Sequence, residues 1–445
     1  MTGVTLANCE FTQNRLGVCH ARLELSKGSG TNVSVATQPQ NMNSAASLAE
    51  ESLAAVRRVV SIDIFRGLNV LLMVFVNNLS DVRGLPWWTH HMPGDANGMT
   101  YVDMVFPGFL FLMGMSIPLS LEARMARGQR KAEIWMYVIV RSASLLVLGL
   151  FIANAPHVNA RYTHLSQTWW TDLGFLGIAL AWVRFPGVER RKALHRTMRY
   201  AGLVLIAVLF LVFRRVTPEG ALAGLDFSYV EILGLLGWAY LLVSGIYLLF
   251  GNRFEIMAAA FAAMVALNAF STLGWLSWMR TWPWYYTPFE AGLSSLTMAG
   301  VLASYVIVGD TLARSFEQKA RWIVVAAAMV LATGFALRPL GISKDRDTPT
   351  WCMYCTGANL LIALALYWIA DVKGWKAWAK FAKPAGENPL LAYLLPFIPF
   401  LLPPLYLLTT IGTSGSWGVL KSALLTGLVL VVTTVLVRWG VRLRV

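Results

Sequence analysis

Charge is scarce in this 445-residue chain: Asp, Glu, Lys and Arg together make up 13% of it, against 57% hydrophobic residues. A soluble fold needs about 25% charged residues to cover its surface, so an ordinary soluble enzyme or binding domain is excluded. Acidic residues are scarcest, 23 against 37 Lys and Arg, leaving a net charge of +14. Such an excess would suit nucleic acid if the cations lined one helix face among aromatics, but they fall in short stretches between apolar runs. No nucleic-acid partner is expected. Only four cysteines and six histidines occur. Cys352 and Cys355 form a CxxC without a second pair at zinc-ribbon spacing, HExxH and HxxxH are absent, and no metal is expected. Walker and Rossmann glycine loops are missing too, as is a Gly-x-Ser-x-Gly elbow, which argues against an ATP-driven pump.

What the chain has is apolar runs of about 20 residues, each long enough to cross the hydrocarbon as a helix. The expected fold is an all-α polytopic membrane protein with about twelve helices, near 62–80, 101–121, 134–154, 169–184, 199–214, 228–250, 255–275, 292–311, 321–338, 351–371, 388–410 and 417–437. Residues 1–56 are polar, lack the apolar core of a secretory signal and are expected to be disordered, with Met42 as an alternative start. Residues 57–445 form the helical bundle.

Loop charge alternates. One side collects Arg57, Arg58, Arg124, Arg127, Arg130, Lys131, Arg190, Arg191, Lys192, Arg196, Arg314, Lys319 and the lysines from Lys373 to Lys383. The other holds chiefly Arg83, Arg161, Arg280, Lys344 and Arg346, with Arg214 and Arg215 as the exception. The positive-inside rule then puts both termini in the cytoplasm. Trp87, Trp88, Trp169, Trp170, Trp282, Trp284, Tyr285 and Tyr286 cluster at outer helix ends, where amphipathic rings favour the headgroup level.

Polar residues in such helices are costly and point to function. Asp63, Arg66, Gly67, Val70 and Asn77 share one stripe of the first helix, which runs roughly 21 Å from its inner to its outer end. Asp63 and Arg66 suit either a structural ion pair or contact with a cofactor phosphate. The loop that follows holds His90 and His91, and Asp103 stands at the outer start of the second helix. Imidazole takes and returns a proton near neutral pH, which acyl transfer to an amine or hydroxyl requires. Asn77 is placed to orient the imidazole or hold a developing oxyanion. Asn97, Glu231 and Glu290 are candidates to line an outer substrate cavity.

Ser61-Ile62-Asp63-Ile64-Phe65-Arg66-Gly67, continuing to Met73-Val74-Phe75-Val76-Asn77, resembles the opening helix of the heparan-α-glucosaminide N-acetyltransferase family. Asn97-Gly98-Met99-Thr100-Tyr101-Val102-Asp103-Met104-Val105-Phe106-Pro107 resembles that family's second motif. Weaker similarity continues through Glu231-Ile232-Leu233-Gly234, Asp371-Val372-Lys373-Gly374 and Gly386-Glu387-Asn388-Pro389-Leu390-Leu391-Ala392-Tyr393. The resemblance implies transfer of an acetyl group from cytoplasmic acetyl-CoA, as co-substrate, to an amino-sugar or glycan acceptor across the membrane, with His91 as the catalytic histidine. His90 stands as its substitute, Asn77 and Asp103 as its helpers, and Asp63 and Arg66 on the acetyl-CoA side. The helices near 169–184 and 199–214 read as an insertion relative to the lysosomal member, and Leu233-Gly234-Leu235 replaces the family's Leu-Gln-Arg.

The expected partners are acetyl-CoA, the acceptor and the bilayer, with a homodimer left open, and the expected location is a bacterial inner membrane with the catalytic loop periplasmic. A secondary transporter of a small polar or anionic solute is the rival reading. A scaffold or envelope-assembly subunit is the third.

Overall fold

With no water at hand, a run of 20 apolar residues satisfies its own backbone only as a helix, and helices are what these runs become. The computed structural model describes residues 12–13, 19–20, 59–184, 191–278, 290–309, 312–398 and 414–443. The chain divides into two units, Met1–Arg58 and Val59–Val445. In the first, Thr12–Gln13 pairs antiparallel with Cys19–His20. The second is helical.

Its helices are α1 (Val60–Leu79), α2 (Val105–Ala126), α3 (Lys131–Asn154), α4 (Gln167–Trp182), α5 (Lys192–Val212), α6 (Glu231–Phe250) and α7 (Phe254–Thr272). They continue as α8 (Gly292–Ile307), α9 (Phe316–Ala336), α10 (Pro349–Tyr367), α11 (Lys383–Glu387), α12 (Pro389–Leu394) and α13 (Gly415–Arg438). Among the described residues, nine are long and apolar enough to cross a membrane, and the all-α membrane class is borne out. Of the twelve expected spans, those near 169–184 and 292–311 form as α4 and α8, which are 16 residues each.

The expected helix over 388–410 is not one span in its described part. A 3-10 stretch (Ala377–Ala382), α11, α12 and a 3-10 turn (Leu395–Phe397) follow one another, and the residues from 399 lie outside the described set. Pro384, Pro389 and Pro396 account for the breaks, because each removes a helix hydrogen bond and restricts the residue before it. Such irregular backbone is tolerated at membrane depth only where protein surrounds it. Here Ala382, Ala385 and the run from Leu391 to Leu395 are all buried.

Close packing uses small residues, since lipid offers no hydrophobic drive between helices. Gly114 of α2 and Gly300 of α8 face each other so tightly that a Cβ on either would strike the partner's backbone carbonyls. Gly67 of α1 lies against the Ala382 carbonyl, and Gly386 against that of Asp63. Helix ends are tied by side chains: both Asp371 oxygens accept from the first amides of α1, Val60 and Ser61, at 2.9 Å each. Lys319, buried, donates to the Ile307 carbonyl at the end of α8 at 2.9 Å, a cation where the helix dipole is negative.

Two topology signals take on other roles. Trp170 is fully buried, stacked on Phe151 and donating Nε1–H to the Leu209 carbonyl at 3.0 Å, while its neighbour Trp169 is exposed. Trp170 therefore locks α4 to α5 rather than sitting in a headgroup belt. The Arg214 and Arg215 exception also has a local cause. Arg214 donates to the Leu211 and Phe213 carbonyls at the end of α5, and Arg215 pairs with Asp226 at 3.0 Å across a short hairpin.

Candidate active site

The site begins with the depth of α2. Asn69, midway along α1, donates from Nδ2 to the carbonyl of Val105, the first residue of α2, at 3.0 Å. Asn69 lies ten residues before the end of α1, so α2 starts roughly 15 Å inside that end at 1.5 Å per residue. The connecting segment must fold back into the bundle, and Thr89, Thr100, Val102 and Asp103 are buried in it. The sequence places Asp103, the expected helper of His91, at the outer start of a helix; the fold buries it.

His91 Nδ1 lies 2.7 Å from Asp103 Oδ1. A carboxylate only accepts, so the proton sits on Nδ1 and the Nε2 lone pair is left for chemistry. Asp103 is 1% exposed and His91 38%, so the anchor is held in the interior while the imidazole is partly open. The other Asp103 oxygen accepts from the amides of Thr100 at 2.9 Å and Met92 at 3.3 Å. The Thr100 hydroxyl donates to the His90 carbonyl at 2.8 Å, which fixes the peptide next to His91.

His90 is occupied on both ring nitrogens. Its Nε2 lies 2.9 Å from the Val82 carbonyl and must be the donor there, and its Nδ1 lies 3.0 Å from the Thr89 hydroxyl. It anchors the loop; His91 presents a nitrogen.

A second loop, 341–348, closes over the first. Asn97 accepts the Ile342 amide on Oδ1 at 2.7 Å, and the Gly98 amide donates to the Ile342 carbonyl at 2.9 Å. The carboxamide oxygen of Asn97 thus helps hold the two loops together. That grip brings Lys344 Nζ to 3.4 Å from His91 Nδ1. Because Nδ1–H already donates to Asp103, Nδ1 has no lone pair for Lys344, which contributes charge rather than a hydrogen bond to the ring. Its charge is also felt by Glu231.

Glu231 opens α6 at φ 54°, a left-handed conformation rare for a residue with a Cβ. Its carboxylate accepts from the Tyr393 hydroxyl at 3.0 Å and the Leu233 amide at 3.2 Å. Beside it, burial and the charges of Glu231 and Asp345 push the Tyr229 phenol up to about 12, so it keeps its proton and can donate.

Glu290 neighbours Asp347 instead. Burial, with Glu290 adding to it, pushes the Asp347 carboxyl well above the usual carboxylate range. Asp347 receives the buried Cys352 thiol at 3.4 Å, and its backbone carbonyl accepts from Asn268 at 2.9 Å.

Asp63 and Arg66 form the i, i+3 ion pair at 3.2 Å, and Arg66 also donates to Ser116 of α2 at 2.9 Å. They lie toward the end of α1 opposite His91. Asn77 is exposed near the other end of α1, where its backbone carbonyl accepts from Ser80. The structure thus joins His91 and Asp103 directly, sets Lys344 beside them, pairs Glu231 with Tyr393, and places Asp63 and Arg66 toward the opposite end of α1. The sequence marks neither Lys344, one loop cation among several, nor Tyr393, one residue of a weakly similar motif, as a site residue.

Residues 58–215 match the family model of a domain of unknown function, DUF5009. Heparan-alpha-glucosaminide N-acetyltransferase of Homo sapiens is 35% identical over 164 residues, covering 36% of this chain and 20% of that protein. The Mus musculus protein of the same name is 38% identical over 172 residues, covering 38% and 22%. The resemblance read from the two motifs is borne out. The aligned stretch spans about a fifth of the length of these relatives, and about a third of this chain.

Proposed function

We propose that this chain is a transmembrane acyltransferase that moves an acetyl group from cytoplasmic acetyl-CoA to an amino-sugar or other envelope glycan acceptor on the outer face. The observation that carries the reading is the 2.7 Å contact that fixes the His91 proton on Nδ1 and leaves Nε2 free at a half-exposed position. The two relatives named as N-acetyltransferases support the reaction class.

In this reading His91 Nε2 takes the proton from the acceptor amine or hydroxyl as its nitrogen or oxygen attacks the thioester carbon. The C–S bond breaks, and the departing thiolate receives the proton from the imidazolium. Asp103 steadies that imidazolium. Alternatively Nε2 itself attacks and carries the acetyl group before passing it on. Lys344 places positive charge near the developing oxyanion, Asn77 orients the reacting groups, and Asp63 and Arg66 lie on the donor side. Glu231 and Tyr393 line the acceptor side. The location that suits this role is a bacterial inner membrane with the His91 loop in the periplasm.

The test is thiol release from acetyl-CoA by purified protein in liposomes with glucosamine-type acceptors, for wild type, His90→Ala and His91→Ala. Acceptor-dependent release abolished by His91→Ala and largely kept by His90→Ala supports the proposal. No release with any amino sugar, together with no acetyl-CoA binding, overturns it. Acetyl retained on the protein in a single turnover without acceptor selects the covalent route.

A further inference from the structure

Arg141 is a cation inside the bundle that the transfer chemistry does not use. It lies on α3 ten residues from Lys131, roughly 15 Å along the helix. Its Nη1 donates to the Tyr137 hydroxyl at 2.9 Å, and its guanidinium carbon lies 5.0 Å from the centre of the Tyr240 ring. Its Nε–H is buried and finds no acceptor among the described residues.

A second guanidinium shares the same tyrosine. Arg124, in the last turn of α2, lies 3.4 Å from the centroid of the Tyr137 ring and donates to Gln129 at 3.1 Å. Neither arginine pairs with a carboxylate among the described residues. Nearby acids are engaged elsewhere: Glu122 accepts from Tyr247 and Asn252, and Glu133 pairs with Arg130 at 2.7 Å.

Two guanidiniums around one phenol, one of them well inside a membrane helix, repel each other in a medium that screens poorly. Ring faces offset only part of that cost. An anion with several oxygens would offset the rest and give the unpaired Nε–H an acceptor. Phosphate has that shape, and arginine is the residue that matches it.

We propose that Arg124, Arg141 and Tyr137 form a phosphate-binding site at the end of α2 and α3 opposite His91. Its occupant is either a nucleotide phosphate of the acyl donor or the headgroup phosphate of a phospholipid. The donor source rests on the acyltransfer reading; the site does not.

The test uses the full chain in detergent with two probes, CoA and phosphatidylglycerol, for wild type, Arg124→Gln, Arg141→Gln and Arg141→Lys. The readouts are CoA affinity by calorimetry and thermal protection by the lipid. A tenfold or greater loss of CoA affinity in both Gln variants, smaller in Arg141→Lys, assigns the site to the donor. Unchanged CoA behaviour with loss of phosphatidylglycerol protection assigns it to lipid. If CoA affinity stays within twofold and lipid protection is unchanged in a monodisperse Arg124→Gln, the proposal is overturned, and this holds even if Arg141→Gln fails to fold. Loss of phosphatidylglycerol protection in the Gln variants of a chain that neither binds acetyl-CoA nor releases thiol would overturn the acyltransferase reading and leave this site standing.

Discussion

The Tyr393 hydroxyl donates to the Glu231 carboxylate at 3.0 Å, so one hydrogen bond ties the interrupted segment after α10 to the first turn of α6. Tyr393 is buried, and a hydrogen bond to a charged group contributes about 1.5–3 kcal/mol. Tyr393→Phe is expected to lower thermal stability in detergent by that order. A melting temperature unchanged within error would show that Glu231 finds another partner.

Asp103→Asn keeps the size of the side chain at position 103 but can offer an N–H to His91 Nδ1, which favours the wrong tautomer. The expected loss in kcat is about 10²–10⁴-fold, with acetyl-CoA binding little changed. Steady-state kinetics beside a CoA-binding measurement separates this from a folding defect.

A methyl group at Gly114 meets the Thr297 carbonyl of α8. Backbone cannot yield as a side chain can, so Gly114→Ala is expected to cost about 1–3 kcal/mol, the range for overpacking. Gly128, where an added Cβ meets nothing within 4 Å, sits at φ 74° and is a poor control. Gly427, with open space and an ordinary φ, is the proper one. Thermal unfolding of Gly114→Ala and Gly427→Ala should differ clearly.

Removing the cap on α1 tests the link from the end of α10. Asp371→Ala leaves the Val60 and Ser61 amides without their acceptor, and loss of a helix cap typically costs about 0.5–2 kcal/mol. Asp371→Asn should recover part of it, since one amide oxygen still accepts.

The Arg215–Asp226 pair gives a pH dependence with a definite sign. Burial opposes ionisation, yet the hydrogen bonds from Ser228 and the charge of Arg215 hold the Asp226 carboxyl below the usual carboxylate range. A lowered value means stability that is present above the ordinary carboxylate value, about 3.9, and is lost as pH falls through the lower folded value. The stability gap between wild type and Asp226→Asn should therefore shrink below pH of about 4. A gap that widens in acid would contradict the assignment.

The sequence by itself determined the class of the fold and which loop carries the candidate site. Long apolar runs admit only helices in a medium without water, and a rare histidine pair beside Asn-Gly and Asp103 singles out one loop as the candidate site. The i, i+3 pair of Asp63 and Arg66 was legible because helical spacing is local. Local rules could not separate His90 from His91, since that depends on which ring nitrogen meets Val82 and which meets Asp103. Nor could they show that α2 starts inside the bundle, which Asn69 enforces from another helix, or that Trp170 packs inward. Lys344 reaches His91 across 253 residues of chain, and Tyr393 reaches Glu231 across 162. Only tertiary structure decides such contacts, because side-chain reach is a few ångströms and sequence distance says nothing about which helices bring two residues within it.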